Sequence, residues 1–490
     1  MRQAGILMAV SSLPSRFGIG DFGPTSYEFL RLVKKSGAKI WQILPLNPLG
    51  YGNSPYQPYS SKALDEVYLS LELLAKEHLL PKRIKSFHPK ANRVDYDGVR
   101  AFKTPYLKKA YAKYLQGSTR AFSNWKKANP WVFNYAVFLT LKKENRLDLW
   151  TRWPEAHKRW ILDKKLDLTP FMDRINYEMW VQFMLARQWK RLHNYAKKLG
   201  IAIMGDIPIY VGIDSDDVWC NQKNFLLDTN GEPTFIAGVP PDYFSKTGQR
   251  WGNPLYDWDY MVKDGFKFWI DRLAYCAQAF DLIRIDHFRA FDTYWKIPSS
   301  CATAVEGAWI EAPGYQFFDT IFKALPDIQI VAEDLGDLRP QVLELRDHYH
   351  FKGMKIVEFT LDSEAKNPHY HPNQDRENMI VYTGTHDNQT LRGWFTNLTA
   401  ENKALVKTFL SQKGYRKDQD IVDQILAYTL NGQAEYAIIP VQDILGLSDR
   451  ARMNTPGTIG SPNWEWKLPK YQPLKKRLSI FNQMVSSSRR

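Results

Sequence analysis

The amino-acid sequence predicts an α/β protein, a (β/α)8 TIM barrel with inserted, largely helical subdomains and no C-terminal β-sandwich domain. Eight short apolar runs alternate with segments of helical periodicity, which is the pattern of a parallel sheet covered by helices. Acidic residues stand at the ends of several runs, where barrel enzymes carry their active sites. After residue 441 only about one helix and a tail remain, too little for a β-sandwich.

The composition is that of a globular protein without a membrane span. The chain has 490 residues, 44% of them hydrophobic, which predicts one large catalytic domain, residues 1–490, with insertions. No run of about 18 apolar residues occurs, and the first residues lack a secretory signal. The cysteines are far apart and lack metal-ligand spacing, which indicates free thiols in a reducing compartment: Cys220, Cys276 and Cys301. We therefore expect a cytoplasmic protein, or a plastid protein whose transit peptide has been removed.

The net charge of +14 raises the question of a nucleic-acid partner. The positive residues are scattered in short runs that are typical of solvated helix faces, and no nucleic-acid motif is present. We expect neither a nucleic-acid nor a membrane partner. The 17 Trp, 26 Tyr and 26 Phe residues are more informative, because flat rings pack against the apolar faces of sugars, although most of them are expected in the core.

The first two strands are predicted at residues 5–10 and 40–45, with a helix between them. Thr25 is the predicted N-cap, Glu28 completes a capping box, and Gly37 ends the helix. A strand, a helix and a strand in this order form a β-α-β unit, which implies that the two strands are parallel.

A loop rich in Gly, Pro, Asn and Tyr follows at residues 50–59. Its tyrosines form either a packed aromatic loop or a wall on which a sugar stacks, and its place after a strand favours the wall. Residues 64–176 carry Lys, Leu and aromatic residues at helical spacing, which predicts a mainly helical insertion. A long amphipathic helix then leads to the third strand at residues 201–207, with Asp206 near its end.

The segment 212–259 has the composition of a loop. More than about 15 residues without regular structure are unusual inside a compact domain, so we expect either a small subdomain or a functional lid. Its aromatic part, from Phe244 to Trp251, is the candidate active-site lid that excludes water.

The remaining strands lie in the second half of the chain. An amphipathic helix with apolar residues from Phe266 to Leu273 precedes the fourth strand, and a further helix begins at Pro340. The predicted strands are residues 282–285, 328–332, 354–359, 380–383 and 436–440.

Carboxylates fall at or just after the ends of four predicted strands: Asp206, Asp286, Glu333 and Asp387. Because barrel active sites form at that face, we expect the four to converge, together with Arg284 and His386. Arg284 lies two residues before Asp286, so both point to the same face, where the guanidinium should lower the pKa of Asp286. A structural Arg–Asp pair at a sheet edge is the alternative for these two residues taken alone.

Two of these carboxylates suit a retaining glycosidic mechanism. Asp286 suits the ionised nucleophile, and Glu333 suits the acid/base, because burial and the other carboxylates would raise its pKa. Asp387 would hold sugar hydroxyls as the ring flattens, and His386 could donate to the same hydroxyls. The alternative is a set of Mg²⁺ or Ca²⁺ ligands, which the positive Arg284 disfavours. We predict no metal or other cofactor, and Asp286 and Glu333 carboxyl groups about 5 Å apart.

A series of motifs runs through nearly the whole chain: S-S-L-P, G-I-G-D-F-G, W-Q-I-L-P-L, G-Y-G-N-S-P-Y-Q, G-D-I-P-I-Y-V, G-V-P-P-D-Y-F-S, G-Q-R-W-G-N-P-L-Y, R-I-D-H-F-R, A-E-D-L-G, T-G-T-H-D-N and R-M-N-T-P-G-T. In this order they closely resemble those of the amylomaltases, also called 4-α-glucanotransferases or disproportionating enzymes. These enzymes are relatives of the α-amylase superfamily. The resemblance implies the same barrel without a C-terminal β-sandwich.

The resemblance also implies roles for individual residues. Asp286 would be the nucleophile, Glu333 the acid/base and Asp387 the transition-state stabiliser. The implied substrate-binding residues are Ser54, Tyr56, Asp206, Arg284 and His386 around the donor sugar, and Trp251 in the lid near the acceptor sites. The departures from the family pattern lie at the rim, where Asn47, Asn53 and Gln389 replace residues that are more usual there.

We therefore expect a 4-α-glucanotransferase that passes a segment of an α-1,4-glucan to the 4-hydroxyl of another glucan or of glucose. The expected partners are malto-oligosaccharides, amylose or starch-like glucans, with glucose as an acceptor. An α-amylase-type hydrolase is the alternative, because the sequence does not show whether a sugar or water reaches the intermediate first. A catalytically inactive glucan-binding protein is a third interpretation, which the presence of all three carboxylates disfavours.

Overall fold

Short strands are distributed along the whole chain. The computed structural model of the protein describes residues 1–89, 92–241, 245–336, 338–366, 376–416 and 418–490. The strands in these residues are β1 (Gln3–Leu7), β2 (Ile40–Gln42), β3 (Ala202–Pro208), β4 (Phe235–Val239), β5 (Gln249–Pro254), β6 (Leu282–Asp286), β7 (Thr293–Pro298), β8 (Ala308–Glu311), β9 (Ile330–Ala332), β10 (Gly353–Ile356), β11 (Met379–Tyr382) and β12 (Tyr436–Pro440).

Eight of these strands form one parallel sheet in the order β10-β11-β12-β1-β2-β3-β6-β9. The two end strands meet where Val331 of β9 pairs in parallel with Lys352, directly before β10. The backbone N–H of Ala332 donates to the Lys352 carbonyl at 2.9 Å, which closes the sheet into a barrel. The predicted (β/α)8 fold is therefore confirmed.

Helices connect most of the barrel strands. They are α1 (Pro24–Lys35), α2 (Leu71–Lys76), α3 (Tyr96–Tyr114), α4 (Arg120–Ala128), α5 (Trp131–Glu144), α6 (Glu155–Asp163), α7 (Met172–Lys198), α8 (Asp216–Cys220), α9 (Trp258–Asp264), α10 (Lys267–Ala279), α11 (Gly314–Ala324), α12 (Pro340–His348), α13 (Val357–Lys366), α14 (Leu391–Asn397), α15 (Ala400–Gln412), α16 (Ile421–Asn431), α17 (Val441–Ile444) and α18 (Gln472–Ser487). Six of them, α2 to α7, lie between β2 and β3. Within the described residues, none of the helices has the length and apolarity needed to cross a membrane.

Several local predictions at element ends are wrong. Strands β1 and β2 end at Leu7 and Gln42, before the predicted ends at residues 10 and 45. Helix α1 begins at Pro24 with Gly23 as N-cap, and the Thr25 hydroxyl donates to the Pro14 carbonyl rather than capping the helix. Proline at the first helical position has its φ preset and lacks the N–H that a cap would satisfy. A further error concerns residues 354–359, because β10 ends at Ile356 and a helix follows. In that helix Val357, Thr360 and Leu361 are buried at helical spacing, while Phe359 is 59% exposed.

The segment 212–259 contains regular structure that its composition did not predict. Strands β4 and β5 join β7 and β8 in an antiparallel sheet with the order β5-β4-β7-β8. Half of this sheet comes from residues after β6, so the segment contains only part of the sheet to which its strands belong. Part of the predicted lid, including Phe244, lies outside the described residues. The proposed division into a barrel and two insertions stays a prediction.

Candidate active site

Arg284 connects two carboxylates at the C-terminal face of the barrel. Asp286 is the last residue of β6, and Arg284 pairs across the strands with Asp206 of β3. Its Nη1 atom donates to both oxygens of Asp206 at 2.7 and 2.9 Å and lies 2.9 Å from Oδ1 of Asp286. Arg284 and Asp206 are almost completely buried, so the guanidinium holds both carboxylates in fixed positions.

Glu333 follows β9 and is tied to the end of β6 by three hydrogen bonds. Its backbone N–H donates to the Ile285 carbonyl at 3.1 Å, and its own carbonyl accepts from Phe288 N–H at 3.1 Å. Its side-chain Oε2 atom accepts from the backbone N–H of His287 at 2.7 Å. The neighbouring strands β6 and β9 therefore bring Asp286 and Glu333 to one place.

His386 and Asp387 lie in the loop after β11. The His386 ring stacks on Tyr56 with centroids 5.1 Å apart and an interplanar angle of 15°. Its Nε2 atom is 3.4 Å from Oδ2 of Asp387. Tyr56 in turn donates its hydroxyl to Oδ2 of Asp206 at 2.9 Å. A chain of direct contacts therefore runs from Asp387 through His386 and Tyr56 to Asp206 and Arg284.

Ser54 and Trp251 lie at the edge of this group. The Ser54 hydroxyl oxygen accepts from the backbone N–H of Tyr56 at 3.3 Å, so Ser54 shapes the loop that carries the tyrosine. Trp251 belongs to β5 and meets His287 with perpendicular rings, 88° apart and 4.8 Å between centroids. All nine site residues that the sequence predicts thus lie in this contact network or border it.

The segment after β12 adds residues that the sequence analysis did not assign to the site. The Asn454 side-chain amide donates to Oδ1 of Asp387 at 2.6 Å, and Arg452 donates to the Asp387 carbonyl at 2.7 Å. Trp464 flanks Tyr56 and His386, with centroid distances of 5.7 and 5.8 Å. The R-M-N-T-P-G-T motif contains Arg452 and Asn454, but neither residue follows a predicted strand directly, and neither carries a carboxylate that would mark a catalytic position.

The predicted direction of the Asp286 pKa is wrong. Burial raises the pKa of Asp286 above its ordinary value, Arg284 opposes the shift, and Asp206 and Asp387 add to it, so the net direction is upward. The Asp286 side chain is still 32% exposed at the barrel mouth, so water moderates the effect of burial. Arg284 fixes the carboxylate in place, but it does not outweigh the loss of water around the group.

The prediction for Glu333 has the correct direction. Burial and, after it, the nearby Asp286 carboxylate raise the pKa of Glu333 to about 8, against the opposing effects of Arg284 and the His287 N–H. At neutral pH this carboxyl group is therefore mostly protonated. Because the two groups influence each other, their protons belong to the pair rather than to either residue.

The described residues contain no cluster of three or more His, Cys, Asp or Glu side chains arranged to hold a metal ion. The three cysteines are free thiols. What the site offers is instead a protonated carboxyl group, a second carboxylate held by a guanidinium, and a third carboxylate beside an imidazole. These groups can donate a proton, attack an electrophilic carbon and bind hydroxyl groups.

Comparison with known proteins gives the family. The sequence profile of the 4-alpha-glucanotransferase family matches residues 8–473. The chain belongs to the 4-alpha-glucanotransferase family. It is 40% identical to the 4-alpha-glucanotransferase of Thermus thermophilus over 478 residues, covering 95% of each chain. Identity to the Synechocystis 4-alpha-glucanotransferase is 42% over 483 residues, covering 95% of this chain and 94% of that protein.

Solved structures agree with this assignment. The amylomaltase of Streptococcus agalactiae in complex with acarbose superposes with a TM-score of 0.94, 35% identity and complete coverage of both chains. The Corynebacterium glutamicum amylomaltase shares the fold, with a TM-score of 0.76 at 17% identity, covering 99% of this chain and 75% of that one. The expected resemblance is confirmed, the chain is an enzyme of the 4-alpha-glucanotransferase type, and the hydrolase alternative is not favoured.

Proposed function

We propose that the protein transfers segments of α-1,4-glucans by a retaining double displacement at the face described above. Asp286 is the nucleophile, Glu333 the acid/base and Asp387 the transition-state stabiliser. The observation that carries this assignment is the pairing of Asp286, which forms an ion pair with Arg284, with a Glu333 whose pKa of about 8 keeps it protonated. One ionised and one protonated carboxyl group are what a retaining mechanism requires.

In the first step an Asp286 oxygen attacks the anomeric carbon of the donor sugar and forms a covalent glycosyl ester. The glycosidic C–O bond breaks, and Glu333 gives its proton to the leaving 4-oxygen. Asp387 and His386 bind hydroxyls of the flattening ring, and Asn454 holds the Asp387 carboxylate through its 2.6 Å hydrogen bond. Asp206, Arg284 and Tyr56 form one hydrogen-bonded group that orients the donor sugar, with Ser54 supporting the tyrosine.

In the second step the 4-hydroxyl of an acceptor sugar attacks the glycosyl ester. Glu333, now ionised, takes the hydroxyl proton, the new α-1,4 bond forms and Asp286 is released as a carboxylate. Transfer rather than hydrolysis requires that the sugar displaces water from this position. Trp251, on β5 beside His287, supplies an aromatic face for the acceptor.

The substrates are malto-oligosaccharides, amylose or starch-like α-1,4-glucans, with glucose as an acceptor. The acarbose complex of the S. agalactiae amylomaltase supports an oligosaccharide site on this fold. We place the protein in the cytoplasm or, if a transit peptide has been removed, in the plastid stroma. The second location is supported by a relative from Solanum tuberosum, a chloroplastic/amyloplastic 4-alpha-glucanotransferase that is 39% identical over 96% of this chain and 82% of its own.

Incubation with maltotriose tests the proposal. We expect glucose together with oligosaccharides longer than the substrate, and a constant number of reducing ends, because each cleavage is matched by a new bond. The variant Asp286→Asn should lose activity by on the order of 10³-fold or more with an unchanged circular dichroism spectrum. Products that are only shorter than the substrate would identify a hydrolase, and full activity in Asp286→Asn would refute the assigned nucleophile.

A further inference from the structure

His287 lies between three parts of the site, yet it has no role in the mechanism above. It follows Asp286 in sequence, its backbone N–H reaches Glu333, and its ring meets Trp251. We propose that His287 is a positioning residue. Its backbone N–H holds the carboxyl group of Glu333, the acid/base, in place, and its ring holds Trp251 on the acceptor side. This inference rests on the proposed function, because it assigns His287 to the same reaction.

The first argument is the backbone conformation. His287 has φ 59° and ψ 49°, a left-handed conformation that few residues other than glycine adopt. This conformation turns the chain directly after β6, so that the His287 N–H points at Oε2 of Glu333 at 2.7 Å. The following N–H, of Phe288, donates to the Glu333 carbonyl at 3.1 Å. The turn therefore fixes both the backbone and the carboxyl group of the acid/base.

The second argument is the position of the ring. It is perpendicular to Trp251 at 4.8 Å, and Tyr210 lies on another side at 6.5 Å. Trp251 is also held by Gln249, which accepts from its indole N–H at 3.2 Å. Removing the imidazole would leave a gap beside Trp251 without disturbing the turn in the backbone. The two functions of His287 can therefore be separated by substitution.

The third argument is charge. Burial lowers the pKa of His287 to about 3, and Arg289 contributes in the same direction, so the imidazole is uncharged at neutral pH. The charged groups around Glu333 are Asp286, Arg284 and Asp334. A neutral ring leaves the raised pKa of Glu333 in place, whereas a cation at this position would favour its ionised form.

Two variants separate the roles. His287→Gly keeps the left-handed turn and the N–H but removes the ring. We expect an unchanged alkaline limb in the pH profile, a raised KM for glucose as an acceptor and a larger share of hydrolysis. His287→Val keeps an N–H but strongly disfavours the turn. We expect kcat to fall by on the order of 10-fold to 10²-fold, and the alkaline limb to move to higher pH because the N–H no longer stabilises ionised Glu333.

His350 provides the matched control. It is an exposed histidine after α12 with φ 55°, the same conformation far from the barrel mouth. His350→Gly and His350→Val should change thermal stability alone and leave the pH profile and acceptor KM as in the unmodified enzyme. If His287→Val does not fold, His287→Ala replaces it in the backbone test. His287→Phe restores a ring without nitrogen atoms, and it should return the KM for glucose, which His287→Gly raises, towards the value of the unmodified enzyme.

The outcomes separate this inference from the proposed function. A wild-type pH profile and acceptor KM in both His287→Gly and His287→Val, with Asp286→Asn inactive, would overturn the positioning role and leave the mechanism intact. An unmodified enzyme that makes no longer oligosaccharides from maltotriose would instead refute the proposed function. Equal shifts in the His350 and His287 variants would show a general effect of backbone strain and would also overturn the inference.

Discussion

At the scale of single residues, the chemistry depends on which carboxyl group carries a proton. Glu333 and Asp286 both lose water on folding, but Asp286 forms an ion pair with Arg284, while Glu333 has backbone N–H groups around it and a carboxylate nearby. Arg284 opposes the rise of both pKa values, and the like charge of Asp286 destabilises the ionised form of Glu333. Their different partners assign their different roles.

This assignment predicts the pH dependence of the reaction. Glu333 must be protonated in the first step, and burial with Asp286 raises its pKa to about 8, so kcat/KM for maltotriose should decrease as pH rises through about 8. Initial rates between about pH 6 and 10 measure this limb. A maltosyl fluoride donor is the control, because fluoride leaves without a proton and its kcat/KM should lack the limb. An alkaline limb near the ordinary pKa of glutamic acid would contradict the assignment.

At the scale of elements, the loop between β11 and α14 presents His386 and Asp387. Two aspartates after β12 hold both ends of this loop. Asp443 accepts from the Thr383 hydroxyl at 2.6 Å and from the Leu391 N–H at 2.8 Å. Asp449 accepts from the Thr390 N–H at 2.9 Å. Together with Asn454 and Arg452, they fix the position of the loop relative to the last barrel strand.

Asp443, which holds both ends of this loop, makes the free energy of unfolding depend on pH. Burial raises the pKa of Asp443 from 3.8 to about 6, against the opposing hydrogen bonds from Thr383 and Leu391. The folded protein then binds the Asp443 proton more tightly than the unfolded chain does. The stabilisation that this proton gives is therefore complete below about pH 4 and is lost as pH rises to about 6. Asp443→Asn removes this dependence. Across that window, the unfolding free energy of the unmodified protein should fall by about 3 kcal/mol relative to the variant. Urea unfolding curves at several pH values measure this, and parallel pH dependence in both proteins would refute it.

At the scale of the whole molecule, the two ends of the chain close the barrel together. Strand β1 pairs with β12, and α18 packs against α1 and α16. Arg2 and Arg490 both donate to the carbonyl of Gly432, between α16 and β12. The first and last elements therefore belong to one structural unit, and we expect barrel and site to unfold together.

Helix α18 offers a matched pair of substitutions to test this. Phe481 is 2% exposed, and Phe481→Ala should lower the unfolding free energy by about 3–5 kcal/mol because it leaves a cavity. The neighbouring Ile480 is 40% exposed, and Ile480→Ala should change it by at most about 0.5 kcal/mol. Loss of activity and loss of circular dichroism on heating should coincide in both variants. Separate transitions, or equal effects of the two substitutions, would show that α18 is not part of the barrel core.

The sequence by itself determined the eight barrel strands and the chemical groups at their ends. Apolar runs such as those before Asp286 and Glu333 indicate strands whose two faces are both buried. The periodicity of side chains along the chain is a local property, so it can be recognised without knowing the distant residues. Parallel strands in one sheet have their carboxyl ends on the same side. Because the acidic residues follow these strand ends in the sequence, their convergence can be predicted. Local patterns were insufficient at element ends, as Thr25 and residues 357–359 show.

Only the tertiary structure decided what depends on partners far apart in the chain. The β5-β4-β7-β8 sheet joins segments on both sides of β6, and Asn454 reaches Asp387 across 67 positions. The net direction of the Asp286 pKa also belongs here, since burial and the facing carboxylates exist only in the assembled barrel. The left-handed turn at His287 belongs here as well, because its N–H meets Glu333, which follows the neighbouring strand β9. Periodicity and strand ends can be found in sequence, whereas desolvation, cross-strand contacts and long-range pairing arise when the barrel closes.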